Sequence, residues 1–502
     1  MPDYDAIVIG SGVGGGSAAT ALSDAGLDVL VVERGHALEN PDDYQDEQRM
    51  IVERIASDDR DIEISGVPAR PLVGGLPGGG STLFGGALVR PSREDFVPGR
   101  HYGDRIPRAI WEWPVDFDDL IDYYDRAEDL FGVSGNASLA PPHLESRSRP
   151  YPRAMPPLDG FNAALAESLR SQGAHPFELP LAIDFDTCRR CARCPGFVCP
   201  TGARTSTDRT LLAPRTRLGR LDYRHGTEAV SIECRGTRFS RLRLLDRATG
   251  RVLEVSADHV LLGAGAIGTP LLLEASGLGG ESDELGRNHM CHLGALAVSV
   301  FPRSIGADRL FLKRLGLSDF YLGTPDMPTK MGSAQAVPVP GVESIVEQLG
   351  VRLPGELARA IHRRTILFSG FVEDLPRRAN RVRFGKGGAI RIDRAFGAFD
   401  VGRARSLSRA LSRLMRRAGA ALVIPWVAKN DRDHLAHQVG TCRAGWDPRT
   451  SVVDGLGRLH GHQGIWVVDG SVFPTSLGVG PALTIAAHAL RVADQIIGTR
   501  KT

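Results

Sequence analysis

The stretch "YDAIVIGSGVGGGSAATALSDAGLDVLVVERG", Tyr4–Gly35, decides the fold. Ala6–Ile9 is an unbroken apolar run, mostly β-branched, as expected of a strand buried on both faces. Gly10, Gly12 and Gly15 follow in a G-x-G-x-x-G spacing, with Gly14 between the last two. A helical pattern runs from Ser17 to Ala25, and Asp28–Val32 is a second buried strand. Glu33 closes that strand about 20 residues beyond the glycines, where an acid accepts from a ribose hydroxyl. Arg34 stands beside it. Glycines at these positions allow a tight turn and bring a helix N-terminus against a pyrophosphate. The unit is a βαβ dinucleotide site, and by itself it does not separate NAD from FAD.

The rest of the composition bounds the partners. A chain of 502 residues is too long for one core, so two domains or one two-part fold is expected. Hydrophobic content of 42% and charged content of 24% are ordinary for a globular protein. A net charge of +2 argues against nucleic acid or an anionic membrane as the main partner. No apolar stretch is long enough to span a bilayer, and the N-terminus runs straight into a strand, so a soluble cytoplasmic protein is expected. The 59 glycines gather in a few loops, which implies close backbone approach to a ligand.

Further segments extend the pattern. "GGLPGGGSTLFGGALVRPS" (Gly74–Ser92) is a second glycine loop, and "ADHVLLGAGAIGTPLLLEASGLG" (Ala257–Gly279) is a strand, a tight turn and a helix. "HLAHQVGTCRAGWDPRTSVVDGLGRLHGHQGIWVVDGSVFPTS" (His434–Ser476) precedes "TSLGVGPALTI" (Thr475–Ile485), where Pro481 opens a helix. Together these resemble the glucose-methanol-choline (GMC) flavoprotein oxidoreductases. The resemblance implies an α/β protein: a Rossmann-like FAD-binding domain and a second α+β substrate domain whose antiparallel sheet covers the flavin. The expected division is 1–139, 205–300 and 424–502 for FAD, with 140–204 and 301–423 for substrate. Within the second part, Val382–Asp393 reads as a hairpin with a Gly-Gly turn, and Gly402–Ala420 as an amphipathic helix covering the sheet.

The resemblance also implies FAD rather than NAD, and oxidation of an alcohol by hydride transfer to flavin N5. It places Gly79, Gly80 and Ser81 along the pyrophosphate and isoalloxazine, with Phe84, Gly85 and Gly86 on the same loop. Val230 would meet the adenine through its backbone, Gly263 and Ala264 would border the cofactor, and Asp469 and Gly470 would hold its ribityl and pyrophosphate region. The helix opening at Pro481 and Ala482 would aim its positive end at the flavin pyrimidine edge. His437, in "AHQVGTC", matches the catalytic base. Gly480 stands where family members usually carry a second catalytic Asn or His. Its missing side chain leaves several readings open. His434, Asn430 or His488 could substitute, the pocket could be enlarged for a bulky substrate, or the chemistry could have moved to that of a lyase or decarboxylase. The implied substrate is a small alcohol, sugar or natural product, with oxygen or another acceptor taking the electrons.

Cys188, Cys191, Cys194 and Cys199 fall within twelve residues in "CRRCARCPGFVCPTGA". The spacing C-x2-C-x2-C-x4-C nearly matches an iron–sulfur run, and resembles paired zinc knuckles less. Structural cysteines over the flavin are weighted first, an iron–sulfur cluster second and zinc third.

Overall fold

The computed structural model describes residues 2–37, 39–71, 73–280, 282–339, 341–343, 353–429 and 436–500. The opening segment folds as its pattern dictates: strand Tyr4–Ile9, helix Val13–Asp24, strand Val29–Val32. Tyr4–Ile9 lies at the centre of a five-stranded parallel sheet, flanked by Ala257–Leu262 and Ile465–Val467 on one side and Val29–Val32 and Asp222–Arg224 on the other. Ala6, Ile7 and Val8 are fully buried, which explains why the strand is apolar on both faces. The helix Val13–Asp24 and the C-terminal helix Ala482–Arg500 cover one face, with Ala18, Leu22, Val492 and Ile496 in one core.

A second, six-stranded antiparallel sheet runs in the order Leu422–Ala428, Leu293–Val300, Thr365–Val372, Ala334–Pro338, Leu315–Leu317, Phe177–Glu178. The helix Ala398–Arg417 lies on it, and Leu407, Leu411 and Leu414 are buried against the sheet, the face the sequence pattern selected. Leu293–Val300 and Leu422–Ala428 both belong to this sheet, so the divisions expected after residues 300 and 423 fall at the end of one of its strands and inside another. An apolar run of eight residues carries no mark of which sheet it will join. The hairpin forms between Arg381–Phe384 and Ile390–Asp393, with Gly387 and Gly388 at positive φ. It takes Ile62–Ile64 as a parallel neighbour, so it joins the region of the first sheet's connections rather than the six-stranded sheet.

Candidate functional site

The two glycine loops meet. Ser11 Oγ donates to Glu33 (2.6 Å) and accepts from Gly78 N (2.8 Å), while Thr207 Oγ1 donates to Ser11 O (2.5 Å). Ser81 Oγ bonds Gly78 O and Thr207, so its hydroxyl is turned into the protein, and what it offers a ligand is backbone. Glu33 also accepts from Ser11 N and Gly35 N. Arg34 is bound in ion pairs with Asp58, Asp59 and Glu228.

The glycines divide into two kinds. A Cβ at Gly10, Gly14 or Gly15 would overlap the carbonyl of Gly263, Val468 or Gly10 respectively, so these three permit close packing of strand, helix and turn. A Cβ at Gly12 or Gly80 would meet no protein atom within 4 Å, although the loops are so close that one at Gly79 would stand 3.3 Å from Gly12 Cα. An open, side-chain-free cradle at the N-terminus of Val13–Asp24, whose first turn carries no acid, fits the pyrophosphate of FAD. Val230, expected at the adenine, has a backbone outside the ladder. It lies on the edge strand Thr227–Arg235, and the ladder skips it, pairing Ser231 with Arg243 and Ala229 with Leu244.

The Asp469 side chain bonds the protein around it. Its buried carboxylate accepts from Gly265 N (2.8 Å), Thr269 Oγ1 (2.5 Å) and Ser471 N (2.9 Å), tying the turn after Gly263 and Ala264 to its own segment. A Cβ at Gly470 would press on Val439, Ile485 and Gln438. Gly470 therefore lets the His437 segment and the C-terminal helix pack closely.

His437 adopts φ +62°, a left-handed conformation uncommon for a residue with a side chain. Phe371 packs edge-on to its ring at 5.0 Å, and a Cβ at Gly480 would meet only its Nε2 and Cε1, at 3.6 and 3.7 Å. Position 480 thus faces the His437 ring, with room for a Cβ. Behind the ring is a residue sequence reasoning missed. His292 Nδ1 lies 2.8 Å from His437 Nδ1, and His292 Nε2 lies 3.0 and 2.8 Å from the carbonyls of Ser476 and Leu477. Carbonyls only accept, so His292 Nε2 carries its proton. Burial keeps His292 below the usual imidazole range, so its Nδ1 is a lone pair, which accepts from His437 Nδ1–H. Enclosure, His292 and the Lys313 ammonium together hold His437 well below that range. Its Nε2 is therefore an unprotonated acceptor directed to the Gly480 side.

The chain after Ser476 is held from below. Gly478 N donates to Asp95 (3.0 Å), which also accepts from Tyr321 and Lys330, each at 2.5 Å. Lys330 pairs with Glu373 as well, and all three charged side chains are fully buried. His488, one candidate to replace the missing partner, instead bonds Val467 O (2.9 Å) inside the fold. His434 and Asn430 lie outside the described residues.

Cys188, Cys191, Cys194 and Cys199 are free thiols lining one cleft with Arg204 and Phe311. Arg204 stitches this segment to the second glycine loop, bonding Thr82 O, Phe197 O and Cys194 Sγ. Among the described residues no three His, Cys, Asp or Glu side chains are placed to hold a metal, so the ligand set of a cluster or zinc is not assembled. No helix among them is long and apolar enough to cross a membrane.

Comparison with known proteins identifies the family. The sequence models of the GMC oxidoreductases match residues 4–294 and 380–489. The chain is 32% identical to 6'''-hydroxyparomomycin C oxidase of Streptomyces lividus, over 98% of this chain and 91% of that protein. It is 29% identical to paromamine 6'-oxidase of Streptomyces fradiae, over 99% and 91%. The structure superposes on pyridoxine 4-oxidase from Mesorbium loti with a TM-score of 0.68 at 19% identity, covering 98% of this chain and 99% of that one. The chain belongs to the GMC oxidoreductases and is an FAD-dependent oxidoreductase acting on CH–OH groups.

Proposed function

From this GMC membership we propose that the chain oxidises a hydroxyl of a sugar-like natural product to a carbonyl, with His437 as the single general base. FAD, when bound, supplies the acceptor for the hydride. Gly12, Gly79, Gly80 and the Val13–Asp24 helix would hold its pyrophosphate, Val230 its adenine, and the Pro481 helix end the flavin. The observation that carries the reading is the His292–His437 pair. It leaves His437 Nε2 unprotonated, facing a position without a side chain, so the substrate hydroxyl can donate straight to it. As that proton arrives, the imidazole becomes cationic and its Nδ1–H bond to His292 strengthens. The six-stranded sheet supplies the roof, since His292 precedes one of its strands, Phe371 lies in another and Lys313 precedes a third.

The names of the relatives favour oxidation over lyase or decarboxylase chemistry, and point to aminoglycoside hydroxyls as first candidates. Seven free thiols support a reducing, cytoplasmic setting. The test is anaerobic bleaching of the flavin by a panel of paromamine, neutral sugars and primary alcohols. His437→Ala should slow bleaching about 10²–10⁴-fold, the usual worth of a general base. Readmitting air then tells whether oxygen takes the electrons. Bleaching as fast in His437→Ala as in the native protein would overturn the assignment.

A further inference from the structure

Lys313 is 3% exposed, and beyond its effect on His437 its charge has no part described above. Its side chain lies against Gly85 in the second glycine loop. A Cβ at 85 would overlap the lysine stem and stand 2.9 Å from Nζ, so the ammonium occupies the space a side chain at 85 would fill. Burial pushes the amine down to about 8, and among the described residues only the Cys194 thiol acts to favour its charge. The buried carboxylates Asp95 and Glu373 are already paired with Lys330. The Lys313 charge also acts on His437. Lys313 thus lies buried against the second glycine loop, an ammonium taken out of water with no carboxylate among the described residues to offset it. Such a group is strongly unfavourable unless negative charge appears beside it.

We propose that Lys313 is the electrostatic partner of the flavin in its reduced state, an ammonium held beside Gly85 to stabilise the negative charge that hydride transfer places on the isoalloxazine ring. The proposal rests on the reading that FAD lies along Gly79–Gly86. The charge balance requires such a partner. The alcohol C–H bond breaks and its electron pair leaves with the hydrogen for the flavin, which becomes an anion, while the hydroxyl proton goes to His437 Nε2. Two opposite charges then appear in one enclosed site. Lys313 opposes the cation on His437 and favours the anion on the ring, so it holds the base neutral before reaction and the flavin reduced after it.

Sulfite tests this without an alcohol, because it adds to a bound flavin, bleaches the visible band and leaves the ring negatively charged. On the FAD-loaded protein at pH 7, Lys313→Met should weaken sulfite binding at least tenfold, and Lys313→Arg should restore most of it. Equilibrium with a reference dye should show the same tenfold, a fall of about 30 mV for a two-electron couple. Unchanged sulfite affinity and potential in Lys313→Met, with a raised KM for the alcohol, would overturn the proposal and make the amine a substrate contact. If neither variant retains FAD, the native protein decides, since a sulfite affinity no greater than that of free FAD also overturns it. A native protein that takes up no flavin at all fails the functional reading instead, and its spectrum shows this before any sulfite is added.

Discussion

Replacing His292 with Leu removes the acceptor that fixes the His437 tautomer. In the resting site the Nδ1–Nδ1 bond at 2.8 Å joins two neutral rings, worth about 1 kcal/mol net. Once His437 has taken the hydroxyl proton, the same bond joins a cation to a neutral acceptor, worth about 1.5–3 kcal/mol. Only the difference lowers the barrier, about 1–2 kcal/mol, or about 5–30-fold in rate. Losing tautomer control adds to this, because a ring with its proton on Nε2 cannot accept from the substrate, so the expected slowing is about 10–100-fold. The assay is anaerobic stopped-flow bleaching of the flavin over a range of alcohol concentrations. The limiting rate should fall while the half-saturating concentration stays put, since His292 lies behind the base and does not face position 480. His292→Gln, whose side-chain oxygen can accept from Nδ1–H, should recover part of the rate. A folded, FAD-loaded His292→Leu protein that reduces at the native rate would refute the tautomer argument, as would a loss confined to half-saturation.

Gly12→Ala should leave the apoprotein's thermal midpoint unchanged and weaken FAD binding, because its Cβ meets only open space. Gly15→Ala should lower that midpoint, because its Cβ overlaps Gly10 O; both are read by calorimetry and flavin titration. Lys330→Met should cost about 3–5 kcal/mol, measured in denaturant, since Asp95 and Glu373 would be left buried without a counter-ion. Acid should destabilise the fold below about pH 6.5. Burial holds His289 down to about 3 and His488 down to about 4, and keeps His292 low as well, so these groups protonate first in the unfolded chain. Each then loses the fold on the order of 1 kcal/mol per pH unit. Asp374, raised to about 7 by burial, acts in the opposite sense, as do Asp95, Glu128 and Asp469, which burial also raises; against them stand these three histidines together with His259 and His437, likewise held low by burial. Unfolding midpoints that do not fall between pH 7.5 and 5 would contradict this balance.

The parts legible in the sequence were those whose causes are local. Ala6–Ile9 and Val29–Val32 had to be strands buried on both faces, and G-x-G-x-x-G between them had to be a tight turn into a helix. Leu407, Leu411 and Leu414 chose their face by helical spacing alone. What stayed hidden depends on partners far along the chain. His292 meets His437 across 145 residues, and the only signal was two histidines crowded into "NHMCHLG" before an apolar strand. Lys313 sits in "LKRLGL", where a Lys-Arg pair reads as surface, and only the packing against Gly85 buries it. The Asp469 carboxylate bonds Gly265, Thr269 and Ser471, partners that no motif could reveal.

Gly480 makes more sense from behind the base than from in front of it. A side chain at 480 would touch His437 Nε2 and could fix the tautomer by bonding that nitrogen, but it would also compete with the substrate hydroxyl for the same lone pair. Here the tautomer is set from the opposite nitrogen, by His292, whose own proton is committed to the carbonyls of Ser476 and Leu477. Those carbonyls belong to the segment that Asp95 anchors through Gly478 N, so the buried Lys330 cluster sets the backbone that orients His292, which in turn orients His437. The front of the base is then free for a substrate hydroxyl alone. Gly480→Asn tests the division of labour: its Cβ would make only ordinary contact with His437, so the fold should be unchanged. If His292 already fixes the tautomer, Asn should raise the reduction rate by less than about tenfold, less than a full catalytic hydrogen bond to a charged group. A larger gain would mean that orientation was missing from the native site and that His292 does not supply it.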